Sequence, residues 1–430
     1  MTDPPIAQTN RTPPAMSRRE LLRAASLGGV ALFLAACRSP GPSPSSIQTS
    51  GQPTLESSTA GRADLPWPSS QPAVSQSPSS GPAPETALTL GQKIAGLMVV
   101  GFRGTDLATS DWVRSALGPS GLGGVILFDR DQLTGGTRNV ASPAQVGTLT
   151  RTLRTAAGSR RIIIGVDQEG GSVVRLGPSR GFPAVASEAA IGRGTAAVAR
   201  QWATGIATTL AKNGFDLNFA PVVDLDVNPT SPAIGALNRS FSADRDVVVA
   251  MATIEVMAHR AAGVRTTLKH FPGIGSSTTN TDFGVADVTA TWTRDELEPF
   301  RQLIAAGAVD IVMAGHVVNG QIDPRRPASL SRATIVDVLR GELGWDGIVV
   351  TDDLQAAAIT RSFGRDEAIL LALEAGNDLL LFANQQVYEP AIVARVVKIV
   401  EAAVSSGRIP ASRIDEADGR VRALFGATIG

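Results

Sequence analysis

The sequence has a single cysteine and three histidines in 430 residues. One thiol cannot build a disulfide framework or a cysteine-based zinc cluster. His259, His270 and His316 leave little for a histidine metal site. Aromatic residues make up only 4% of the chain, too few for a protein that works by base stacking. Charge of one sign is also missing, since 39 Lys+Arg balance 39 Asp+Glu. Without a basic stripe to displace counterions, the composition argues against a nucleic-acid partner. No Gly-x-x-x-x-Gly-Lys-[Ser/Thr] occurs, and no Gly-x-Gly-x-x-Gly follows an early strand to open a helix, so nucleotide and dinucleotide sites are unsupported. The hydrophobic fraction is nevertheless 43%, enough to bury a core.

The first 37 residues read as an address. Ser17-Arg18-Arg19 precedes an apolar run at 24–36 that is too short to span the ~30 Å hydrocarbon core of a bilayer and suits the h-region of a signal peptide. The run ends Leu34-Ala35-Ala36-Cys37, and Cys37 is the only cysteine. The segment resembles a bacterial lipoprotein signal with a twin-arginine pair, which implies lipidation of Cys37 and export to the outer face of the cytoplasmic membrane. Met16 precedes Ser17-Arg18-Arg19 and is an alternative start. Residues 38–87 are rich in Ser, Pro, Gly, Thr and Ala and show no apolar periodicity, the composition of a stalk. A flexible chain of that length has an end-to-end distance on the order of 40 Å.

From residue 88 onward, apolar runs alternate with helical patterns. The runs fall at 97–102, 123–128, 162–166, 216–223, 264–269, 309–314, 348–351 and 378–382. Several are apolar at nearly every position, as strands covered on both faces should be. Between them, 143–157, 196–213, 244–262, 294–306, 332–343, 365–375 and 387–405 carry apolar residues at three- and four-residue spacing, with glycines at several helix ends. Eight alternations predict an α/β fold, a (β/α)8 barrel in one catalytic domain over 88–430. An open doubly wound sheet is the alternative.

Polar residues cluster where those runs end, which in a barrel is where the active site lies. The third run leads to Asp167-Gln168-Glu169-Gly170-Gly171, with Arg175 beyond. The fourth leads to Asp224, and its loop carries Arg239. The fifth ends Lys269-His270, the sixth precedes His316, and the seventh precedes Asp352-Asp353. Carboxylates, arginines, a lysine and histidines around one mouth suit a polyhydroxylated substrate held by charged hydrogen bonds.

The stretches Val166-Asp167-Gln168-Glu169-Gly170-Gly171, Asn218-Phe219-Ala220-Pro221-Val222-Val223-Asp224, Lys269-His270-Phe271-Pro272-Gly273 and Gly344-Trp345-Asp346-Gly347-Ile348-Val349-Val350-Thr351-Asp352-Asp353-Leu354 resemble the signature segments of glycoside hydrolase family 3. The resemblance is nearest to its single-domain bacterial β-N-acetylhexosaminidases and runs in order from about residue 88 to the end. It implies a (β/α)8 barrel and retaining release of a terminal β-linked N-acetylglucosamine from a glycan or cell-wall fragment. It implies no metal and no organic cofactor. By position, Asp352 matches the catalytic nucleophile. Asp167, Arg175, Arg239, Lys269 and His270 match residues that hold the terminal sugar.

One part of that pattern is missing. The hexosaminidases usually continue Lys-His-Phe-Pro-Gly-His-Gly and then Asp-Ser-His, whose histidine is their acid/base. Here Ile274 replaces the first of these histidines, and none lies between His270 and His316. Ser172 stands where the family often has arginine. Asp282, in the same loop, is therefore the candidate proton donor. The other readings are an enzyme limited to activated leaving groups, or a sugar- or muropeptide-binding lipoprotein without hydrolysis. A related β-glucosidase or glycoside phosphorylase is a further alternative. Asp353 and His259 are expected to be structural, and His316 is expected either to satisfy the barrel wall or to touch substrate.

Overall fold

The computed structural model describes residues 88–282 and 284–426. The expected signal segment with Cys37 and the expected stalk at 38–87 lie outside the described residues.

All eight apolar runs form strands of one parallel sheet: β1 (Met98–Gly101), β2 (Gly124–Leu127), β3 (Ile163–Val166), β4 (Leu217–Asn218), β5 (Arg265–Phe271), β6 (Ile311–Ala314), β7 (Ile348–Thr351) and β8 (Leu380–Phe382). Each pairs with its neighbour in sequence, and β1 also pairs with β8. A bridge between Val350 and Leu379 joins β7 to β8, so the sheet is a nearly closed barrel. The open doubly wound alternative is thereby set aside.

Strand parity decides what each residue meets. Val99, Ile126, Ile163, Leu217, Phe219, Ile311, Met313, Ile348, Val350, Leu379 and Leu381 form one cluster that fills the barrel. Their alternates, among them Met98, Val100, Val125, Leu127, Ile164, Val166, Leu380 and Phe382, pack against the surrounding helices. Both sets are apolar, which is why the strands read as continuous hydrophobic runs. Gly165 lies between the inward Ile163 and Asp167 because a β-carbon there would stand 2.8 Å from the Phe219 ring. The helix Ala411–Phe425 places Phe425 in the same interior cluster, with Val421 and Leu424 against it.

Helix boundaries follow their caps. Ser142 accepts the Gln145 N–H at the start of Pro143–Ala157, and Thr195 accepts the Val198 N–H at the start of Ala196–Lys212. Gly376 closes Arg365–Ala375 with φ 106°, in the left-handed region. Two elements are shorter than the sequence suggests by more than two residues. The fourth run forms a continuous ladder only at Leu217–Asn218 and resumes as a single bridge between Val222 and Lys269, with Pro221, which has no N–H to donate, in the gap. The pattern at 387–405 becomes helical at Ile392–Ser405, since Pro390 disfavours helix in the residue before it.

Candidate active site

At the carboxyl ends of the strands a cleft of about 190 Å³ opens. Asp167, Arg175, Arg239, Lys269, His270, Asp282 and Asp352 all line it, over a floor that includes Ile126, Phe128, Met313 and Leu381 from the barrel interior. The seven side chains named from the sequence therefore meet at one place.

Parity brings most of them there. Asp167 continues the inward set 163 and 165, Lys269 continues 265 and 267, and Asp352 continues 348 and 350. His270 has the wrong parity for a regular strand. The β5–β6 register slips between Leu268 and Phe271, so three residues of β5 span two of β6. This bulge lets the consecutive Lys269 and His270 both face the cleft.

The deepest part is an ion-pair cluster. Lys269 Nζ lies 2.7 Å from Glu169 Oε1 and 3.0 Å from Asp167 Oδ1. Arg239 binds Glu169 in bidentate fashion, with Nε and Nη2 each 2.8 Å from a carboxylate oxygen. Burial alone would raise the Glu169 carboxyl, but the Arg239 and Lys269 charges outweigh it and hold it well below the usual range. Burial likewise opposes the Lys269 charge, yet Glu169 and Asp167 push its ammonium upward. Arg175 Nη2 stands 3.5 Å from Asp167 Oδ2, and its guanidinium lies 5.3 Å from the Phe128 ring centroid. His270 Nδ1 donates to Asp224 Oδ2 at 2.7 Å, which leaves Nε2 for a ligand in the cleft.

Asp352 follows β7, and its N–H donates to Ala314 O at 3.0 Å, extending the ladder by one residue. Its Oδ1 accepts the Asp353 N–H at 2.8 Å. Burial would raise this carboxyl, but the histidines at 316 and 270, the Asp353 N–H and Lys269 together hold it below the ordinary aspartate value. His316 is itself pushed down by burial and is neutral at pH 7, so it supplies no full charge there. Lys269 is the permanent cation among these groups, and the Asp353 N–H adds a hydrogen bond to the ionised carboxylate.

Asp282 sits on the loop after β5. Burial raises its carboxyl, the negative charge of Asp352 raises it further, and Arg239 and His270 act the other way. The side chain is ringed by protein yet exposed to solvent in the mouth. Its upward shift is therefore partly screened until a ligand displaces that water.

The remaining polar residues have structural partners. His316 donates from Nε2 to Asp353 O at 2.8 Å and accepts at Nδ1 from Ser329 Oγ at 2.7 Å, so it satisfies the barrel wall. His259 donates from Nδ1 to Glu255 O and accepts at Nε2 from Asn218 Nδ2; burial lowers it to about 4, and it stays neutral. Asp353 has outward parity. Its Oδ1 accepts N–H groups of Gln355 and Ala383, and burial pushes its carboxyl up to about 7. Ile274 lines the cleft and is 3% exposed. Ser172 reaches Leu237 O and takes no part in the ion-pair cluster.

Glu169 and Asp224 lie within the sequence motifs but carry no expected role there. Glu169 shares the inward parity of Asp167, a signal that could have identified it as the counter-ion of Lys269. Asp224 had no such signal, since its partners are the His270 backbone and ring and the Ile274 N–H.

Behind this cluster lie two buried glutamates. Glu188 Oε1 accepts the Val222 N–H at 3.0 Å. Its Oε2 and both carboxyl oxygens of Glu255 have no hydrogen-bond partner among the described residues. Burial first pushes both well above the usual glutamate value; the charges of Glu255 and Glu169 add to it at Glu188, and the charge of Glu169 adds to it at Glu255. Between the ordinary and the raised value the folded chain holds more protons than the unfolded one, so stability falls as pH rises through that window. Glu255→Gln is accordingly expected to stabilise the protein by about 1–3 kcal/mol at pH 8 and by much less near pH 4.5. Thermal melts at the two pH values check this, and an equal shift at both would reject it.

The sequence and the fold have known counterparts. The model described as the glycosyl hydrolase family 3 N terminal domain matches residues 89–424. A β-hexosaminidase of Xylella fastidiosa (strain M23) is 37% identical over 310 residues, covering 69% of this chain and 86% of that protein. One from Tolumonas auensis is 34% identical over 309 residues, with the same shares covered. Among solved structures, a glycoside hydrolase family 3 β-N-acetylglucosaminidase from Paenibacillus sp. str. FPU-7 superimposes with TM-score 0.71 at 38% identity, covering 79% of this chain. This chain spans only 62% of that longer protein. The β-N-acetylhexosaminidase of Beutenbergia cavernae gives TM-score 0.71 at 32% identity, covering 79% of this chain and 99% of that one. With an inward-facing carboxylate after β7, a sugar-sized polar cleft and a family match over the whole barrel, this chain belongs to glycosyl hydrolase family 3 and is a β-hexosaminidase-like glycoside hydrolase.

Proposed function

We propose that the barrel releases terminal β-linked N-acetylglucosamine from oligosaccharides or cell-wall fragments with retention of configuration. Asp352 attacks the anomeric carbon from below as the glycosidic bond breaks, and Asp282 passes its proton to the departing oxygen. Water then adds to the glycosyl–aspartate, gives its proton to Asp282, and frees Asp352. Asp167, Arg175, Arg239, Lys269 and His270 hold the sugar hydroxyls. The lipoprotein signal in the sequence supports an exported protein anchored to the membrane through Cys37, with 38–87 as a spacer and a glycan as its substrate.

The observation that carries the hydrolytic reading is Asp352: it has inward parity, is kept ionised, and borders a cleft of charged hydrogen-bonding groups. The names of the relatives support the choice of sugar. The test compares aryl β-N-acetylglucosaminide with aryl β-glucoside, each with and without phosphate. The expected result is a preference of about 100-fold in kcat/KM for the acetamido sugar, independent of phosphate. Preference for the glucoside would overturn the sugar assignment, and phosphate-dependent release of a glycosyl phosphate would make the protein a phosphorylase. Tight binding of an N-acetylglucosamine analogue without turnover of either substrate would leave a binding protein.

A further inference from the structure

The loop that carries Asp282 is held mostly by its own short-range bonds. Asn280 Oδ1 accepts the Asp282 N–H at 2.9 Å, and Ser277 Oγ accepts the Thr279 N–H at 3.2 Å. The base of the loop is tied down, with the Ile274 N–H on Asp224 Oδ1 at 2.8 Å and Asn228 Nδ2 on Ser277 O at 3.1 Å. Over 278–282, the hydrogen bond that reaches another part of the barrel among the described residues comes from across the mouth. Gln386 Nε2 donates to Asp282 O at 2.8 Å.

Gln386 stands on a rigid support. Its neighbour Gln385 is buried; Gln385 Oε1 accepts from the Gln132 N–H at 2.9 Å and from Arg138 Nη1 at 3.1 Å, and Nε2 donates to Arg130 O at 3.0 Å. Arg138, fully buried, also binds Phe102 O, Ala383 O and Asn384 O at 2.8–3.0 Å. Asn384 completes the support through Gly101 O and Gln355. The loop after β8 is thus fixed to β1 and to the loop after β2, and Gln386 extends from it to the carbonyl of Asp282.

We infer that Gln386 is a positioning residue for proton transfer: by holding the Asp282 backbone across the mouth, it sets where the Asp282 carboxyl stands above the cleft. This rests on the reading of Asp282 as proton donor. Aspartate is short and has two side-chain torsions, so it cannot compensate for a displaced backbone. A misplacement of about 1 Å is enough to cost a large factor in rate.

Gln386 is only partly buried, so Gln386→Ala leaves the core intact, and an unchanged melting temperature verifies that. The kinetic readout is kcat for aryl β-N-acetylglucosaminides with a poor and an activated leaving group, measured in the parent, Gln386→Ala, Asp282→Ala and the double variant. Gln386→Ala is expected to lose about tenfold more rate on the poor leaving group than on the activated one. In the Asp282→Ala background the same substitution should cost nothing further, because the group it positions is gone. If Asp282→Ala shows the leaving-group selectivity and Gln386→Ala does not, the positioning role alone falls. Additive losses, or a rise in KM for both substrates, would make Gln386 a direct sugar contact and overturn the inference. If Asp282→Ala itself shows no selectivity, the proton-donor reading fails and this inference fails with it.

Discussion

Asp352→Asn is expected to lower kcat on aryl β-N-acetylglucosaminides by on the order of 10⁴-fold or more, while the melting temperature stays close to that of the parent. The amide has the same shape, and its oxygen can still accept the Asp353 N–H that now meets Asp352 Oδ1. What it lacks is the negative charge that attacks the anomeric carbon. A loss of that size corresponds to about 5.5 kcal/mol of transition-state stabilisation. The companion measurement is trapping of the parent enzyme with a 2-fluoro sugar, followed by peptide mass mapping. The label should fall on the peptide containing Asp352. Activity of Asp352→Asn within tenfold of the parent, or a label on another carboxylate, would remove this residue from the reaction.

The second large effect belongs to Asp282→Ala. A poor leaving group departs as a strongly basic phenolate or alkoxide and needs a proton in the transition state, whereas a weakly basic, activated phenolate does not. The loss should therefore reach about 10²–10⁴-fold for poor leaving groups and stay small for activated ones. The pH profile provides an independent check. Burial and the Asp352 charge raise the Asp282 carboxyl, so its protonated form persists to higher pH than that of an ordinary aspartate. Activity on a poor leaving group should fall as pH rises through this value, and the alkaline limb should vanish in Asp282→Ala. Equal losses for both classes of leaving group, with the limb unchanged, would show that another group donates the proton.

Much of this site was legible before the fold, for a local reason. A strand buried on both faces writes itself as an uninterrupted apolar run, and the first charged residue after it marks the barrel mouth. Asp167, Lys269 and Asp352 are found that way, and alternation within the strand then turns them inward. His270 was legible only through its motif, because its orientation depends on a register slip against β6. Glu169 carries only a parity signal, while the roles of Asp224 and Gln386 leave no local trace. Irregularities at Pro221 and Pro390 shortened two elements without moving any site residue.

The sequence by itself determined the number and order of the strands, the inward set of each, and the departure at Ile274 and the loop that follows it. These are properties of neighbours along the chain, set by side-chain alternation and backbone chemistry. Only the tertiary structure decided how the charges are paired. Arg239 and Glu169 are 70 residues apart, and Gln386 and Asp282 are 104 apart. Such pairs depend on how closing the barrel orients each loop over the mouth, and that orientation is a sum of many contacts no single segment encodes.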